Sequence, residues 1–271
     1  MRRPAPALQR FISHYAGFCA DGMTPGTHAG LPSRHAHLII SLDAPIEVIE
    51  MPNSTQAANH FSAMTCGLHD APATVRRGSR VEGVHVFLRP FGLRAVLGVS
   101  ARECASRVYD LSDLWGRPAT ELVERLGNAA TWGARFAVLD EVFGRALSPV
   151  EPSAAVVWAW RQLAVSHGRT SIEELARAIG WSRQHFTERF RTELGLAPKT
   201  AARIFRFEHA CQSIKNARLP LAEIAAVCGY HDQAHMTREW NALAGCSPRV
   251  WISRELPFLQ DYELAVSDNS G

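Results

Sequence analysis

The 271-residue chain has no C-x-x-C pair, no glycine-rich phosphate loop, no G-x-S-x-G and no apolar run near the ~18 residues of a membrane helix. These absences argue against a thioredoxin-like redox site, a phosphate-loop nucleotide site, a serine-hydrolase elbow and a membrane span. The longest apolar stretch, Leu38-Ile39-Ile40-Ser41-Leu42, is strand-sized. Met1-Arg2-Arg3-Pro4 is followed by no apolar segment, so no secretory signal is expected. Cysteines at 19, 66, 104, 211, 228 and 246 show no paired spacing and read as reduced thiols of a soluble cytoplasmic protein. What is present is apolar mass. With 46% hydrophobic and 20% charged residues, extensive disorder is excluded and one large domain or two ordinary ones can be filled.

The net charge of +3 hides a division along the chain. Residues 1–151 carry 15 basic and 14 acidic side chains, whereas residues 152–254 carry 14 and 8. The last segment, 255–271, has four acids and no base. A basic block beside a near-neutral one suggests an anionic partner for the C-terminal half.

Short β-rich runs lie between 30 and 88: His37-Leu38-Ile39-Ile40-Ser41-Leu42, Ile46-Glu47-Val48-Ile49-Glu50-Met51 and Val84-His85-Val86-Phe87-Leu88. Their turns carry Asp43-Ala44-Pro45 and Met51-Pro52-Asn53, a texture that favours a sandwich or barrel over β-α-β units. From Ser112 apolar positions recur at helical spacing, notably in Glu121-Leu122-Val123-Glu124-Arg125-Leu126 and over 135–147. Ser148-Pro149-Val150-Glu151-Pro152-Ser153 is the linker candidate, and from there to about 254 the chain reads as helix. The expected architecture is α+β in two domains. A β-rich, sandwich- or barrel-like domain covers 1–110, a helical connector and linker 111–152, an all-α domain 153–254 and an acidic tail 255–271.

The all-α segment contains a repeat. Ile172-Glu173-Glu174-Leu175-Ala176-Arg177-Ala178-Ile179-Gly180-Trp181 aligns with Leu221-Ala222-Glu223-Ile224-Ala225-Ala226-Val227-Cys228-Gly229-Tyr230, and Phe186-Thr187 with Met236-Thr237. Each copy is a short helix, a glycine turn and a second amphipathic helix, the layout of a helix-turn-helix, over about 171–194 and 221–244. Gly180 and Gly229 fall where positive φ is needed, and Ser182 and Asp232 suit the following N-caps. Phe186 and Phe190 are four apart, as are Met236 and Trp240, so each pair is expected in a core. The opposite faces offer Arg183, Gln184, Thr187, Glu188 and Arg191, then Gln233, Thr237, Arg238 and Asn241. These side chains can read base edges or hold phosphates. Between the copies, Pro198 opens a helix to about Asn216, whose ~28 Å approaches the ~34 Å between successive major-groove faces. On it, Ile204, Phe207, Cys211 and Ile214 form an apolar stripe, with Lys199, Arg203 and Arg206 on another side.

With these motifs in place, residues 156–251 resemble the C-terminal domain of the AraC/XylS family of transcriptional regulators. The resemblance runs through Gly180-Trp181-Ser182, Phe190-Arg191, Gly195-Leu196-Ala197-Pro198 and Arg206-Phe207. It continues through Asp232-Gln233-Ala234-His235-Met236-Thr237-Arg238-Glu239-Trp240 and Gly245-Cys246-Ser247-Pro248. It implies that the second helix of each unit enters a major groove, with Arg183, Gln184, Thr187 and Glu188, then Gln233, Thr237 and Arg238, facing bases. Arg191, Arg203 and Arg206 are expected on phosphates. Glu188 departs from the family pattern, which often has a basic residue there; an acid can accept from cytosine N4. The run from Phe87-Leu88-Arg89-Pro90-Phe91-Gly92 to Val99, with Leu111-Ser112-Asp113-Leu114, resembles the N-terminal domain of an AraC subgroup, which implies that 1–110 is a sensor, ligand-binding or assembly module. Implied partners are double-stranded promoter DNA, RNA polymerase, an unidentified small-molecule effector and a second copy in a homodimer. No cofactor, metal, catalytic activity or membrane contact is expected.

Two other readings compete. His35 and His37, two apart on a strand, share a face and with His60, His69 or His85 could build the metal site of a cupin-like enzyme, although no carboxylate lies at a matching spacing. Non-specific architectural DNA binding is the other. Cys104, flanked by Arg102, Glu103 and Arg107, reads as a structural thiol, and Trp158, Trp160 and Trp251 as helix packing.

Overall fold

The computed structural model describes residues 1–216 and 219–254; the acidic tail expected over 255–271 lies outside the described residues. Within them, nine strands form two antiparallel sheets. They are β1 (Ile12–Ala20), β2 (Gly26–Gly30), β3 (Ala36–Ser41), β4 (Ile46–Glu50), β5 (Asn59–Phe61), β6 (Ala63–Cys66), β7 (Ala73–Arg77), β8 (Val81–Leu88) and β9 (Val108–Asp110). One sheet runs β1-β8-β3-β6-β9, the other β2-β7-β4-β5, and neither closes into a barrel.

The period of two along β3 and β8 sets the layers. Ala36, Leu38 and Ile40, with Val84, Val86 and Leu88, are fully buried on one face. There they meet Leu122 and Leu126 of the helix Arg117–Asn128 and Phe136, Leu139 and Phe143 of the helix Trp132–Ala146. The connector helices therefore share a core with the sheet, because an apolar helix stripe packs on the nearest apolar face. The alternate residues His37, Ile39 and His85 turn the other way, into the space between the two sheets. Strand β1 precedes the texture read from residue 30. Its Ile12-Ser13-His14-Tyr15-Ala16-Gly17 has no clean alternation, and its register on β8 joins residues as distant as Ile12 and Leu88.

The C-terminal part is helical throughout its described residues. In chain order we label Ala101–Cys104 α1, Leu111–Trp115 α2, Arg117–Asn128 α3, Trp132–Ala146 α4 and Ala154–Val165 α5. There follow α6 (Ile172–Ala178), α7 (Arg183–Leu194), α8 (Pro198–Asn216), α9 (Leu221–Val227), α10 (Gln233–Ala244) and α11 (Pro248–Arg254). Ser182 Oγ accepts the His185 amide at 3.2 Å, and Asp232 Oδ1 accepts that of His235 at 2.6 Å. Gly180 and Gly229 have φ of 73° and 79°, a region where a side chain is strained. The pairs Phe186/Phe190 and Met236/Trp240 are fully buried. The long helix α8 serves both cores. Ala201, Ala202 and Phe205 belong to the core of the first unit, whereas Ile204, Phe207 and Ala210 belong to that of the second.

Candidate nucleic-acid interface and the cavity between the sheets

The sequence-predicted polar faces of α7 and α10 lie at the surface. Arg183, Gln184, Glu188 and Arg191 are exposed on α7, as are Gln233, Arg238 and Asn241 on α10. The two threonines behave alike. Thr187 Oγ1 donates to the Arg183 carbonyl at 2.8 Å and Thr237 Oγ1 to the Gln233 carbonyl at 2.9 Å, so each hydroxyl proton is spent on its own helix backbone. Arg183 reaches Glu173 of α6 at 3.3 Å, while Arg238 has no ion pair among the described residues.

Arg203 and Arg206 are placed differently from the phosphate contacts the sequence suggests. Both converge on Glu239 of α10, at 3.2 and 3.3 Å, and Arg206 also donates to the Gly168 carbonyl at 2.9 Å. His235 Nε2 lies 3.6 Å from the same carboxylate. With side-chain exposures of only 25% and 18%, the two arginines clamp α8 to α10. The i, i+4 pair His235/Glu239 was a local signal for part of this cluster; the arginines come from another helix and left none.

Several contacts join the β-rich part to the helix-turn-helix units, and four of them are specific. The Arg34 amide donates to Glu208 on α8 at 2.8 Å, its guanidinium grips the other carboxylate oxygen, and its Cζ sits 4.8 Å from the Phe205 ring centre. Burial lifts the Glu208 carboxyl above the ordinary range, against the opposing pull of Arg34. Arg102 on α1 pairs with the exceptional Glu188 at 3.2 Å. Gly195 sits so close to the Ala101 carbonyl that a Cβ there would collide with it. Leu68 is buried in the core of the second unit, with Leu31 and Ala105 packed against it. None of these was legible in sequence, since each joins segments more than 85 residues apart.

A cavity of about 320 Å³ lies between the sheets, within the size range of small-molecule sites. Ile39, Met64, Ile46, Val48 and Val75 make its apolar wall. Its polar lining includes Ser41, Asp43, Glu82 and four histidines; His37 Nδ1 lies 2.8 Å from His85 Nε2, and His37 Nε2 lies 2.8 Å from Ser33 Oγ. Burial, then neighbouring rings, pushes His85 down to about 3 and His37 well below its ordinary value; burial likewise lowers His28 to about 4. His35, which precedes β3, is lowered to about 3 by burial, His14 and Arg34. Among the described residues no group of three His, Cys, Asp or Glu is arranged to hold a metal ion. His60 stands instead on Glu47, at 3.8 Å. Cys104 is buried beside Glu103, and burial raises its thiol to about 11, the setting of a structural cysteine.

A β-rich domain enclosing a cavity, followed by two helix-turn-helix units on one shared helix, defines a two-domain protein built to present paired reading helices. Residues 175–254 match the family described as Helix-turn-helix domain, so the C-terminal part of the chain is such a domain. The MmsAB operon regulatory protein of Pseudomonas aeruginosa is 27% identical over 88 residues, 32% of this chain; the matched region spans 29% of that protein's length. ToxT from Vibrio cholerae shares the fold across both domains, with a TM-score of 0.51 and 8% identity over 89% of this chain and 97% of ToxT. Wild-type ToxT bound to an unsaturated fatty acid matches with a TM-score of 0.51 and 8% identity over 93% and 97% of the two chains. Among the described residues no helix is long and apolar enough to cross a membrane.

Proposed function

We propose that the chain is a sequence-specific, DNA-binding transcription regulator whose small-molecule effector occupies the cavity between the sheets. The observation that carries this reading is the pair of exposed polar faces on α7 and α10, each backed by a fully buried pair four residues apart and joined through one 19-residue helix. Arg183, Gln184, Thr187 and Glu188 face the bases of one half-site, Gln233, Thr237 and Arg238 those of the other, and Arg191 holds phosphate. Arg203 and Arg206 serve DNA indirectly, by fixing α10 on α8 through Glu239. ToxT bound to a fatty acid supports a small-molecule site in the shared fold. The protein is cytoplasmic, non-enzymatic and recruits RNA polymerase; a homodimer would present four reading helices.

Control passes through segments that touch both parts. Leu31 and His69 line the cavity. Leu31 also packs on the second helix-turn-helix core, His69 follows the Leu68 that is buried there, and the 31–35 segment holds Arg34 on Glu208. An occupied cavity that moves these segments shifts the helices, since a ligand biases whichever arrangement it binds more tightly. Selection of bound sequences from random double-stranded DNA tests the reading. A two-part motif with one-turn spacing is expected, with its second half weakened in Arg238→Ala; no enrichment over background would leave only non-specific binding.

A further inference from the structure

The cavity's charges decide what it takes. Three arginines belong to its lining, and each is engaged. Arg76 pairs with Glu47 at 2.7 Å, Arg80 with Glu82 at 3.1 Å, and Arg77 donates to the Thr24 carbonyl at 3.1 Å. The lining histidines are linked to one another: His37 Nδ1 lies 2.8 Å from His85 Nε2, and burial holds both rings toward the neutral form. His69 is 4% exposed. Its Nδ1–H donates to the Ala71 carbonyl at 2.7 Å, which leaves Nε2 as a bare acceptor with no protein partner among the described residues, on a ring that lines the cavity. Burial holds this ring neutral as well. A carboxylate entering beside His69 would give up its water and meet a bare acceptor, while the three arginines of the lining are already committed to their own partners.

We infer that the cavity selects an uncharged, largely apolar molecule carrying a hydroxyl or similar donor, with His69 Nε2 as the acceptor that orients it. The inference rests on the cavity being the effector site and narrows the ligand class beyond the fatty acid of ToxT. His69 is then both anchor and lever, because the chain on either side of it, Leu68 and Pro72, touches the second helix-turn-helix unit.

The test is calorimetric titration of the full-length protein at pH 7.5 with two matched probes, 1-decanol and decanoate. Decanol is expected to bind at least tenfold more tightly. His69→Phe, which removes the acceptor, should cost decanol about tenfold, and His69→Gln, which restores an acceptor near Nε2, should recover most of it. Decanoate binding as tightly as decanol overturns the ligand class while leaving the effector site in place. Binding of neither overturns both the class and the site. Equal decanol affinity in wild type and a folded His69→Phe variant removes His69 as the anchor.

Discussion

The helices α7 and α10 have the same length, an N-cap carboxylate or hydroxyl in the same place, a left-handed glycine at each end of the unit's turn sequence and a buried pair four apart. Their surroundings differ. α7 lies against the β-rich domain, through Arg102 on Glu188 and Gly195 on Ala101, and its Glu193 accepts the Ser153 amide of the linker at 2.9 Å. α10 is held from its own side by the Glu239 clamp, and its outward face, with Arg238, is open. A duplicated scaffold thus carries two different attachments. The first reading helix is tied to the sensor side, whereas the second receives loops 31 and 68 at its core.

Breaking the second unit's core should have the largest effect. Trp240→Ala removes a ring stacked edge-on with Phe207 at 4.8 Å and Trp251 at 5.4 Å. We expect a loss of ~3–5 kcal/mol in denaturant titration, with half of the DNA footprint lost before the rest. Next, Glu239→Gln leaves two guanidinium groups facing a neutral amide. A cost of about 2 kcal/mol in stability is expected, with weaker binding to every sequence alike. A sequence-dependent change would make Glu239 a reader and erase the contrast with α7.

Arg238→Ala should weaken specific binding by ~1–3 kcal/mol with stability unchanged, measured on cognate and random duplexes; equal loss on both makes Arg238 a phosphate anchor. The β-rich domain supplies a pH-dependent control. Its histidines titrate near 6.5 when unfolded, but His35 and His85 only near 3 when folded, so the unfolded chain binds more protons between these values. Stability therefore falls as pH drops below about 6.5, by ~1.4 kcal/mol per pH unit for each ring. Denaturation at pH 7, 6 and 5 measures the slope, which His85→Phe should flatten. The smallest effect belongs to Arg102→Ala. Its pair with Glu188 is mostly exposed and is worth ~0–1 kcal/mol to stability, so any change in base preference at the first half-site reports the freed Glu188 carboxylate.

Much of the helical part was legible from sequence because its signals are short-ranged. The bounds of α8, the caps at Ser182 and Asp232 and the buried pairs each depend on residues within about four positions. The β-rich part was legible only where alternation was clean, in β3, β4 and β8, and β1 was missed. For the reading face, exposure of Gln184, Gln233 and Arg238 followed from helical period alone. The inward turn of Arg203 and Arg206 did not, since periodicity places a side chain on a face without saying which partner waits there.

What the chain determined by itself is the local scaffold: helices with their caps, glycine turns and strand alternation, all set by steric and hydrogen-bonding preferences of near neighbours. Tertiary structure alone decided the histidine-lined cavity, the Arg34–Glu208 contact and the Glu239 clamp. Their contacts bring together groups 33 to 174 residues apart, and their charge states come from shared burial that no single segment possesses.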